Sequence, residues 1–250
     1  LSDLAGARVA IHTTGSFIPD VLDQVRSLTA AGLHVVSSTE ELAWPWLRHP
    51  GLAGDMDQMA REAGVAVVGT GVNPGFVMDV LPLAATHAVR GVRKVVVRRR
   101  VDTALRRRNL QVKTGAGMTT EAFAAEMQAG RMGHIGLAEL DGLNRPPHRG
   151  NASPMTQGHT GHVAGLRQVM EARTADGRTL SLELVMELAG GADEDAVEID
   201  ADPSVHLKVE GGVSGDLATV ATLVNTVPRI LEARAGLRSA LDLPLPRVAR

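Results

Sequence analysis

Two short segments of the chain carry the residues best suited to chemistry. The first, residues 37–46, sets the adjacent carboxylates of Glu40 and Glu41 close to Trp44 and Trp46, the two tryptophans of the chain. Burial against apolar rings raises the pKa of a carboxyl group towards neutrality, where it can take up and release a proton. These acids are therefore candidates for proton transfer. The alternative is that they begin an exposed helix near its positively polarised end.

The second segment, Gly69–Phe76, reads Gly-Thr-Gly-Val-Asn-Pro-Gly-Phe and lies between a strand-like run and a helical one. Glycines in such a turn let the backbone approach a phosphate at a helix N-terminus, as in dinucleotide-binding proteins. The spacing of Gly69, Gly71 and Gly75 is longer than that of the dinucleotide fingerprint. A tight turn that binds no phosphate is the alternative.

Basic and histidine-containing segments offer weaker signals. Arg98–Arg100 and Arg106–Arg108 could bind a phosphate or carboxylate in a bidentate fork, or could form a solvated, charged sheet edge. His159 and His162, with His148 nearby, have some likeness to a metal site. Because the chain has no cysteine and these histidines lie in a weakly patterned segment, we expect them to face solvent and predict no metal.

Composition limits the classes of protein to which the chain can belong. Its 250 residues suffice for one large or two modest domains, and without cysteine there is no disulfide framework and no thiolate nucleophile. Redox chemistry would then come from a bound cofactor. A net charge of −2 argues against nucleic acid as a partner. Since no apolar run reaches the roughly 20 residues that span a bilayer, we expect a cytoplasmic protein without membrane contact.

Strand-like and helical runs alternate in the first third of the chain. The strands are predicted at 8–13, 33–38 and 65–68. The helices are predicted at 18–30, 54–63 and 76–89. Short βα repeats of this kind form a parallel sheet covered by helices, and ligands of such sheets bind at the carboxyl ends of the strands. Both segments described above would lie at those ends.

From residue 91 onwards the pattern changes to longer alternating runs. Strands are predicted at 92–101, 166–172, 179–188 and 205–209, and helices from Thr119 or Thr120 and over 217–231. The Asp176–Gly177 pair between two of these strands is a strong hairpin signal. Pro228 is expected to kink or end the last helix. This half is therefore predicted to be α+β with a largely antiparallel sheet, with 142–161 as its least ordered stretch.

Five segments, taken together, resemble the 2,4-diaminopentanoate dehydrogenase family, which includes the native amine dehydrogenases. These segments are Val36–Trp46, Gly69–Asp79, Arg106–Thr119, Gly133–Glu139 and Val224–Arg229. The layout is also similar, more distantly, to dihydrodipicolinate reductase, but the His-His-x-x-Lys stretch of that enzyme is missing after Val101. The resemblance covers most of the chain, and the match is poor between Glu139 and Val163.

The resemblance implies an α/β fold: a Rossmann domain that binds NAD or NADP, followed by an α+β domain that supplies substrate walls and a homodimer interface. We expect residues 1–90 to form the C-terminal part of the Rossmann domain and 91–230 the substrate-binding and dimerisation domain. Residues 231–250 are expected to pack back on the Rossmann domain. The first residues match the run into a later Rossmann strand, so we interpret the Rossmann sheet as partial and the chain as N-terminally incomplete.

Roles for individual residues follow from the same resemblance. It puts the catalytic carboxylate within the Glu40–Glu41 pair, and we expect Glu40 to be the acid/base group, with Glu41 as the second candidate. Trp44, Trp46 and His134 are expected to line the substrate site. The residues expected to contact the cofactor are Thr13, Thr14, Ser16, Thr39, Asn73, Gly75 and Phe76. Without a cofactor, the hydroxyls would be ordinary helix caps and the loop residues would be turn formers.

The implied reaction is the reversible NAD- or NADP-dependent oxidative deamination of an amine, or the reductive amination of a ketone or aldehyde with ammonia. Glu40 would take a proton from the attacking ammonium and offset the positive charge that develops at the iminium carbon. Two alternatives stay open: an imine reductase like dihydrodipicolinate reductase, and a cofactor-free dimerisation module. Dependence on ammonia tests the first alternative, and titration with a nicotinamide cofactor tests the second.

Overall fold

The computed structural model describes residues 6–104, 106–129, 151–156 and 162–245. The chain divides into two compact units, one formed by Leu1–Val80 with Ser214–Arg250 and the other by Leu81–Val213. The limits suggested by the sequence, at 90 and 230, differ from these, because the helix that follows Val213 belongs to the first unit. The predicted fold class, a parallel sheet followed by a largely antiparallel one with helices in both halves, is confirmed.

A four-stranded parallel sheet forms the centre of the first unit. In spatial order its strands are β1 (Val9–His12), β2 (His34–Ser37), β3 (Ala66–Gly69) and β10 (Gly236–Arg238). The helices of this unit are α1 (Ile18–Ala30), α2 (Pro45–Arg48), α3 (Pro50–Glu62) and α7 (Gly215–Ile230). Short 3₁₀ turns lie at Glu40–Ala43 and Ala240–Asp242, and a π-helical turn lies at Phe76–Val80. The predicted strands and the first two predicted helices of this region are all present.

Apolar stripes hold helices on both faces of this sheet. One face is covered by α1 and α3, whose buried residues include Ile18, Val21, Val25, Met56 and Ala60. On α1 the apolar residues recur every three or four positions, so the helix presents one continuous stripe to the core. The opposite face is covered by α7, where Leu223 and Ile230 pack against Val36 and Val68. Pro228 lies in the last turn of α7, which ends at Ile230.

The second unit contains a six-stranded mixed sheet. In spatial order its strands are β5 (Asn151–Thr156), β6 (Val163–Arg173), β7 (Thr179–Glu187), β4 (Arg90–Asp102), β8 (Glu194–Asp202) and β9 (Val205–Glu210). Among these described strands, β4 and β7 pair in parallel and the other four pairings are antiparallel. The hairpin predicted at Asp176–Gly177 joins β6 to β7, and Gly177 has a φ of 90°.

The described residues of the second unit also form the helices α4 (Leu81–Thr86), α5 (Arg108–Lys113) and α6 (Thr120–Gln128). The hydroxyl of Thr119 accepts the N–H of Ala122 and so caps α6, in the position that the sequence indicated. The helix predicted over 76–89 is instead divided into the π-helical turn and α4. In the described part of the chain, none of the helices is long and apolar enough to cross a membrane.

Sequence reasoning missed β8, whose run Glu-Asp-Ala-Val-Glu-Ile-Asp-Ala-Asp is dominated by acids. Its side chains nevertheless alternate strictly, with Asp195, Val197 and Ile199 buried and the residues between them more exposed. That period of two was the available signal. The helix α5 was also missed, because its segment reads as a basic turn.

The arginines of β4 differ sharply in environment. Arg98 is half-exposed and pairs with Glu198, as expected for a charged sheet surface. Arg99 is buried, and its Nη1 donates to both carboxylate oxygens of Asp195 at 2.8 and 2.9 Å. Burial lowers the pKa of Arg99 and raises the pKa of Asp195, and the attraction between the two charges opposes both shifts. Arg99 is therefore a structural ion-pair partner within the second unit.

Candidate functional site

The predicted chemistry gathers at the carboxyl edge of the first sheet. β1, β2 and β3 run in parallel and end at His12, Ser37 and Gly69, so the segments that follow them emerge at the same edge. This is the edge at which open parallel α/β sheets bind their ligands. The predicted residues on these segments are Thr13, Thr14, Ser16, Thr39, Glu40, Glu41, Asn73, Gly75 and Phe76.

A glycine determines where the Glu40–Ala43 turn sits. The turn follows β2 directly, and it passes so close to the end of β3 that a Cβ on Gly69 would overlap the backbone of Leu42 and Ala43. The N–H of Leu42 donates to the carbonyl of Thr39 at 3.0 Å and tightens the turn. Gly69 therefore allows the two acids to lie against the sheet edge. The sequence showed Gly69 only as part of a glycine-rich segment and did not indicate this close approach.

The two adjacent acids have different environments, and that of Glu41 is the more enclosed. Its side chain is only 4% exposed and is held by Arg48 at 3.2 Å and His49 at 3.1 Å. It also accepts the backbone N–H of Ile18 at 2.8 Å. These three donors engage both carboxylate oxygens, so Glu41 fastens the start of α1 to the turn.

Glu40 occupies the first position of the same turn and is half-buried. It therefore stays partly accessible to solvent at the carboxyl edge, whereas Glu41 is enclosed by protein donors. A group that exchanges protons with a substrate needs such access. Of the two acids, Glu40 has the environment that suits acid/base chemistry.

Trp44 and Trp46 form an edge-to-face pair, with ring centroids 4.9 Å apart and planes inclined at 66°. Both are half-buried, and Trp46 packs against the core between α1 and α3. Such pairs are stabilising because the positive edge of one ring meets the negative face of the other. Part of the tryptophan surface is thus structural, and substrate contact by these rings stays a prediction.

None of the hydroxyl residues Thr13, Thr14 and Ser16 occupies the N-cap position of α1. The N-cap position of α1 is Phe17, which makes no side-chain cap, and the carboxylate of Glu41 accepts the Ile18 N–H instead. Thr14 bonds the His12 ring at 2.8 Å and the Gln24 amide at 2.6 Å. The N-cap of α1 is thus not one of these three residues, and cofactor contact by Thr13, Thr14 and Ser16 stays a prediction.

Sequence reasoning missed a polar cluster at this edge, in which the buried His12, Ser37 and Thr39 meet the exposed Thr14 and Gln24. The Nδ1 atom of His12 lies 2.8 Å from the hydroxyl of Ser37, which in turn donates to the hydroxyl of Thr39 at 2.9 Å. A histidine at the end of an otherwise apolar strand was the one local signal for this cluster. Its buried partners, Ser37 and Thr39, are distant in sequence, so the local pattern of the chain does not indicate them.

The glycine-rich loop contains a buried side-chain amide, that of Asn73. Both polar atoms of the Asn73 side chain are buried, and neither has a hydrogen-bond partner among the residues that the structure describes. Buried polar atoms of this kind are rare because each lost hydrogen bond costs about 1–3 kcal/mol. An amide offers both a donor and an acceptor, as the nicotinamide carboxamide does, so the residues present fit that cofactor.

The rest of the loop is tightly constrained. Gly75 has a φ of 124°, in the region that favours glycine. Its N–H donates to the buried Asp79 carboxylate at 2.6 Å. Phe76 is half-buried and opens the π-helical turn, in which the N–H of Val77 donates to the carbonyl of Val72 at 2.9 Å. Short π-helical turns are frequent at functional sites.

Some predicted residues fall outside the described part of the chain. His134, expected in the substrate site, is one of them, as are His148 and His159. Within the described residues, no group of three or more His, Asp or Glu side chains is arranged to hold a metal ion.

Comparison with known proteins gives concordant results at the level of sequence and fold. The model of the 2,4-diaminopentanoate dehydrogenase C-terminal domain matches residues 149–250. The 2,4-diaminopentanoate dehydrogenase of Acetoanaerobium sticklandii is 31% identical over an alignment of 266 residues, which covers 96% of this chain and 75% of that protein.

Two solved structures share the fold. An amine dehydrogenase from Mycobacterium smegmatis superposes with a TM-score of 0.80 at 21% identity, covering 96% of this chain and 77% of that one. A probable dehydrogenase from Thermotoga maritima gives a TM-score of 0.53 at 11% identity, covering 94% of this chain and 74% of that one. At these identities the likeness concerns architecture alone.

Proposed function

This chain belongs to the 2,4-diaminopentanoate dehydrogenase family, and from that membership we propose a specific reaction and a specific acid/base group. It is an oxidoreductase that uses a nicotinamide cofactor and acts on the CH–NH₂ group of a small molecule. The proposed reaction is the reversible oxidative deamination of an amine, which in the other direction is the reductive amination of a ketone or aldehyde with ammonia.

One observation carries the proposal: the half-buried Glu40 and Asn73, whose amide has no partner among the described residues, follow adjacent strands at one edge. Ser37 and Gly69 are paired in register at the ends of β2 and β3. Glu40 follows the first of these residues closely, and Asn73 follows the second. A cofactor held by Asn73 would thus lie beside the segment that carries Glu40.

When bound, the nicotinamide accepts or donates the hydride of the reaction. The side chain of Asn73 would hold the carboxamide through two hydrogen bonds, and Phe76 would pack against the ring. Thr13, Thr14, Ser16, Thr39 and Gly75 are proposed to line the cofactor site, and Trp44, Trp46 and His134 the substrate site. The cofactor is proposed to be NAD or NADP, and titration of the fluorescence of NADH and NADPH distinguishes the two.

Glu40 is proposed to act as the base towards the incoming ammonium and as the acid towards the departing water. As a carboxylate it also offsets the positive charge that develops at the iminium carbon. General acid/base groups contribute about 10²–10⁴-fold to the rate. Glu41 is proposed to support this group and not to replace it, because Ile18, Arg48 and His49 already engage its oxygens.

The reaction is tested by measuring NADH and NADPH oxidation with a panel of ketones and aldehydes, with and without ammonia. We expect oxidation only when ammonia is present. Turnover of a cyclic imine without ammonia would favour an imine reductase of the dihydrodipicolinate reductase type. If neither NADH nor NADPH binds in a fluorescence titration, both the amine dehydrogenase and the imine reductase are contradicted.

Glu40→Gln tests the acid/base group. We expect kcat to fall about 10²-fold or more while the cofactor affinity and the melting temperature stay near those of the parent. Asp55→Asn removes an exposed acid from α3 and serves as the matched control. Near-full activity of Glu40→Gln would remove Glu40 from this role. Light scattering of the purified chain tests the homodimer that the family resemblance implies.

A further inference from the structure

His12 is the last residue of β1, and it is only 4% exposed. Its ring lies between two hydrogen-bonding groups on opposite sides. The inner side, Nδ1, faces Ser37 of β2 at 2.8 Å, and the outer side, Nε2, faces Thr14 at 2.8 Å and Gln24 of α1 at 3.2 Å. Buried histidines of this kind fix the groups that they bond, because each bond restricts both partners.

The inner hydrogen bonds have a fixed direction. The carbonyl of Gly15 can only accept, so Thr39 donates its single hydroxyl proton there at 2.8 Å. Ser37 therefore donates its own proton to Thr39 and can only accept from its other neighbours. It accepts from the Thr39 N–H at 3.1 Å and from the His12 ring. The Nδ1 atom of His12 must consequently carry a proton.

This chain of bonds ends at the residue before Glu40. Thr39 is held through both its N–H and its hydroxyl, and it is the N-cap of the Glu40–Ala43 turn. The N–H of Ser38 also donates to the carbonyl of His12 at 3.0 Å. The direction in which the backbone leaves β2, and with it the position of Glu40, thus depends on the His12–Ser37–Thr39 chain.

We propose that His12 is a positioning residue: its Nδ1–H, acting through Ser37 and Thr39, fixes the backbone that presents Glu40 to the substrate. The proposal rests on Glu40 being the acid/base group. Only the inner side of the His12 ring, which carries Nδ1, positions the turn. The outer contacts with Thr14 and Gln24 hold the ring but do not reach the turn.

Two substitutions separate the inner side from the outer side. The amide nitrogen of an asparagine reaches roughly the position of Nδ1, so His12→Asn keeps the donor to Ser37. The amide of a glutamine reaches the position of Nε2, so His12→Gln keeps the outer contacts and leaves Ser37 without its donor. We expect His12→Gln to lower kcat on the order of 10²-fold, as misplaced catalytic groups do, with a much smaller change in KM. His12→Asn should retain most of the kcat.

Intrinsic fluorescence provides a readout that needs no activity. The chain has two tryptophans and no tyrosine, and Trp44 and Trp46 follow the turn directly. If the turn is displaced in His12→Gln, the emission and acrylamide quenching of these residues should change, while those of His12→Asn stay near the parent. Far-UV circular dichroism of both variants controls for general unfolding.

The positioning role of His12 and the proposed function fail by different experimental outcomes. If His12→Asn and His12→Gln are equal in kcat and in fluorescence, the positioning role is wrong. If the fluorescence separates them but His12→Gln lowers kcat just as much in a Glu40→Gln background, His12 does not act through Glu40. If the parent chain has no ammonia-dependent activity, the proposed function fails, and the fluorescence comparison still tests whether His12 fixes the turn.

Discussion

Glu41 accepts the backbone N–H of Ile18 at 2.8 Å, although the two residues are 23 positions apart in the chain. The carboxylate of Glu41 thereby caps the N-terminus of α1, because the side chain of the N-cap residue Phe17 makes no capping bond. Arg48 and His49 complete its surroundings. One carboxylate thus joins three parts of the site: the start of α1, the Glu40–Ala43 turn and the C-terminal end of α2.

Glu41→Gln should weaken this junction. A glutamine keeps one acceptor oxygen, but its NH₂ group would face a donor, either the guanidinium of Arg48 or the ring of His49. We expect the free energy of unfolding to fall by about 1–3 kcal/mol, the usual cost of leaving buried hydrogen-bonding groups unpaired. Urea denaturation followed by circular dichroism measures it. A variant as stable as the parent would show that the three contacts contribute little.

Gly69→Ala should displace the turn that carries Glu40. The added Cβ would overlap the backbone of Leu42 and Ala43, which cannot yield as a flexible side chain can. We expect lower stability and a loss of kcat on the order of 10²-fold, because Glu40, the proposed acid/base group, moves with the backbone. Gly54→Ala is the matched control, since a Cβ there meets nothing within 4 Å on the exposed surface of α3. Equal kinetics for the two variants would contradict the expectation.

Asn73→Leu should affect stability and cofactor binding in opposite directions. Without cofactor, leucine replaces two buried polar atoms that have no partner among the described residues, so the melting temperature should stay the same or rise. The affinity for the nicotinamide cofactor should fall by about tenfold, which corresponds to about 1.4 kcal/mol. Differential scanning fluorimetry and cofactor titration measure the two effects. An unchanged affinity for the cofactor would mean that Asn73 does not bind the nicotinamide carboxamide.

His34 should make stability depend on pH between neutral and mildly acidic conditions. Burial, with a smaller contribution from the charge of Arg8, lowers the pKa of His34 below its ordinary value of 6.5. The neutral ring accepts the N–H of Ala66 at 3.1 Å and so links β2 to β3. Because the unfolded chain binds this proton more readily, the contribution is complete above pH 6.5 and is lost as the pH falls through the lower, folded-state pKa.

The variant His34→Asn keeps an acceptor but does not titrate. The difference in stability between the parent and this variant should therefore shrink as the pH falls from about 7 to about 5. Urea titrations at several pH values test this. A difference that stays constant over that range would mean that His34 does not titrate differently in the two states.

Several elements could be predicted because their signals are local. The apolar spacing of α1 gives its limits at Ile18 and Ala30, and the Asp176–Gly177 pair locates the β6–β7 hairpin. The strand β8 was not predicted: its alternation is present, but Asp and Glu are depleted in strands and dominate its sequence. At the site, the sequence indicated the Glu40–Glu41 pair but did not distinguish its members.

The sequence alone determined the periodic elements, the family and the segments that meet at one edge of the parallel sheet. Those features follow from neighbouring side chains and from the rule that parallel strands expose their carboxyl ends together. Only the tertiary structure decided that Glu41 is enclosed while Glu40 is half-buried, that Gly69 makes room for their turn, and that His12 bonds Ser37. Each of these includes a contact between residues far apart in sequence, as between Glu41 and Ile18 or His12 and Ser37, which no local pattern encodes.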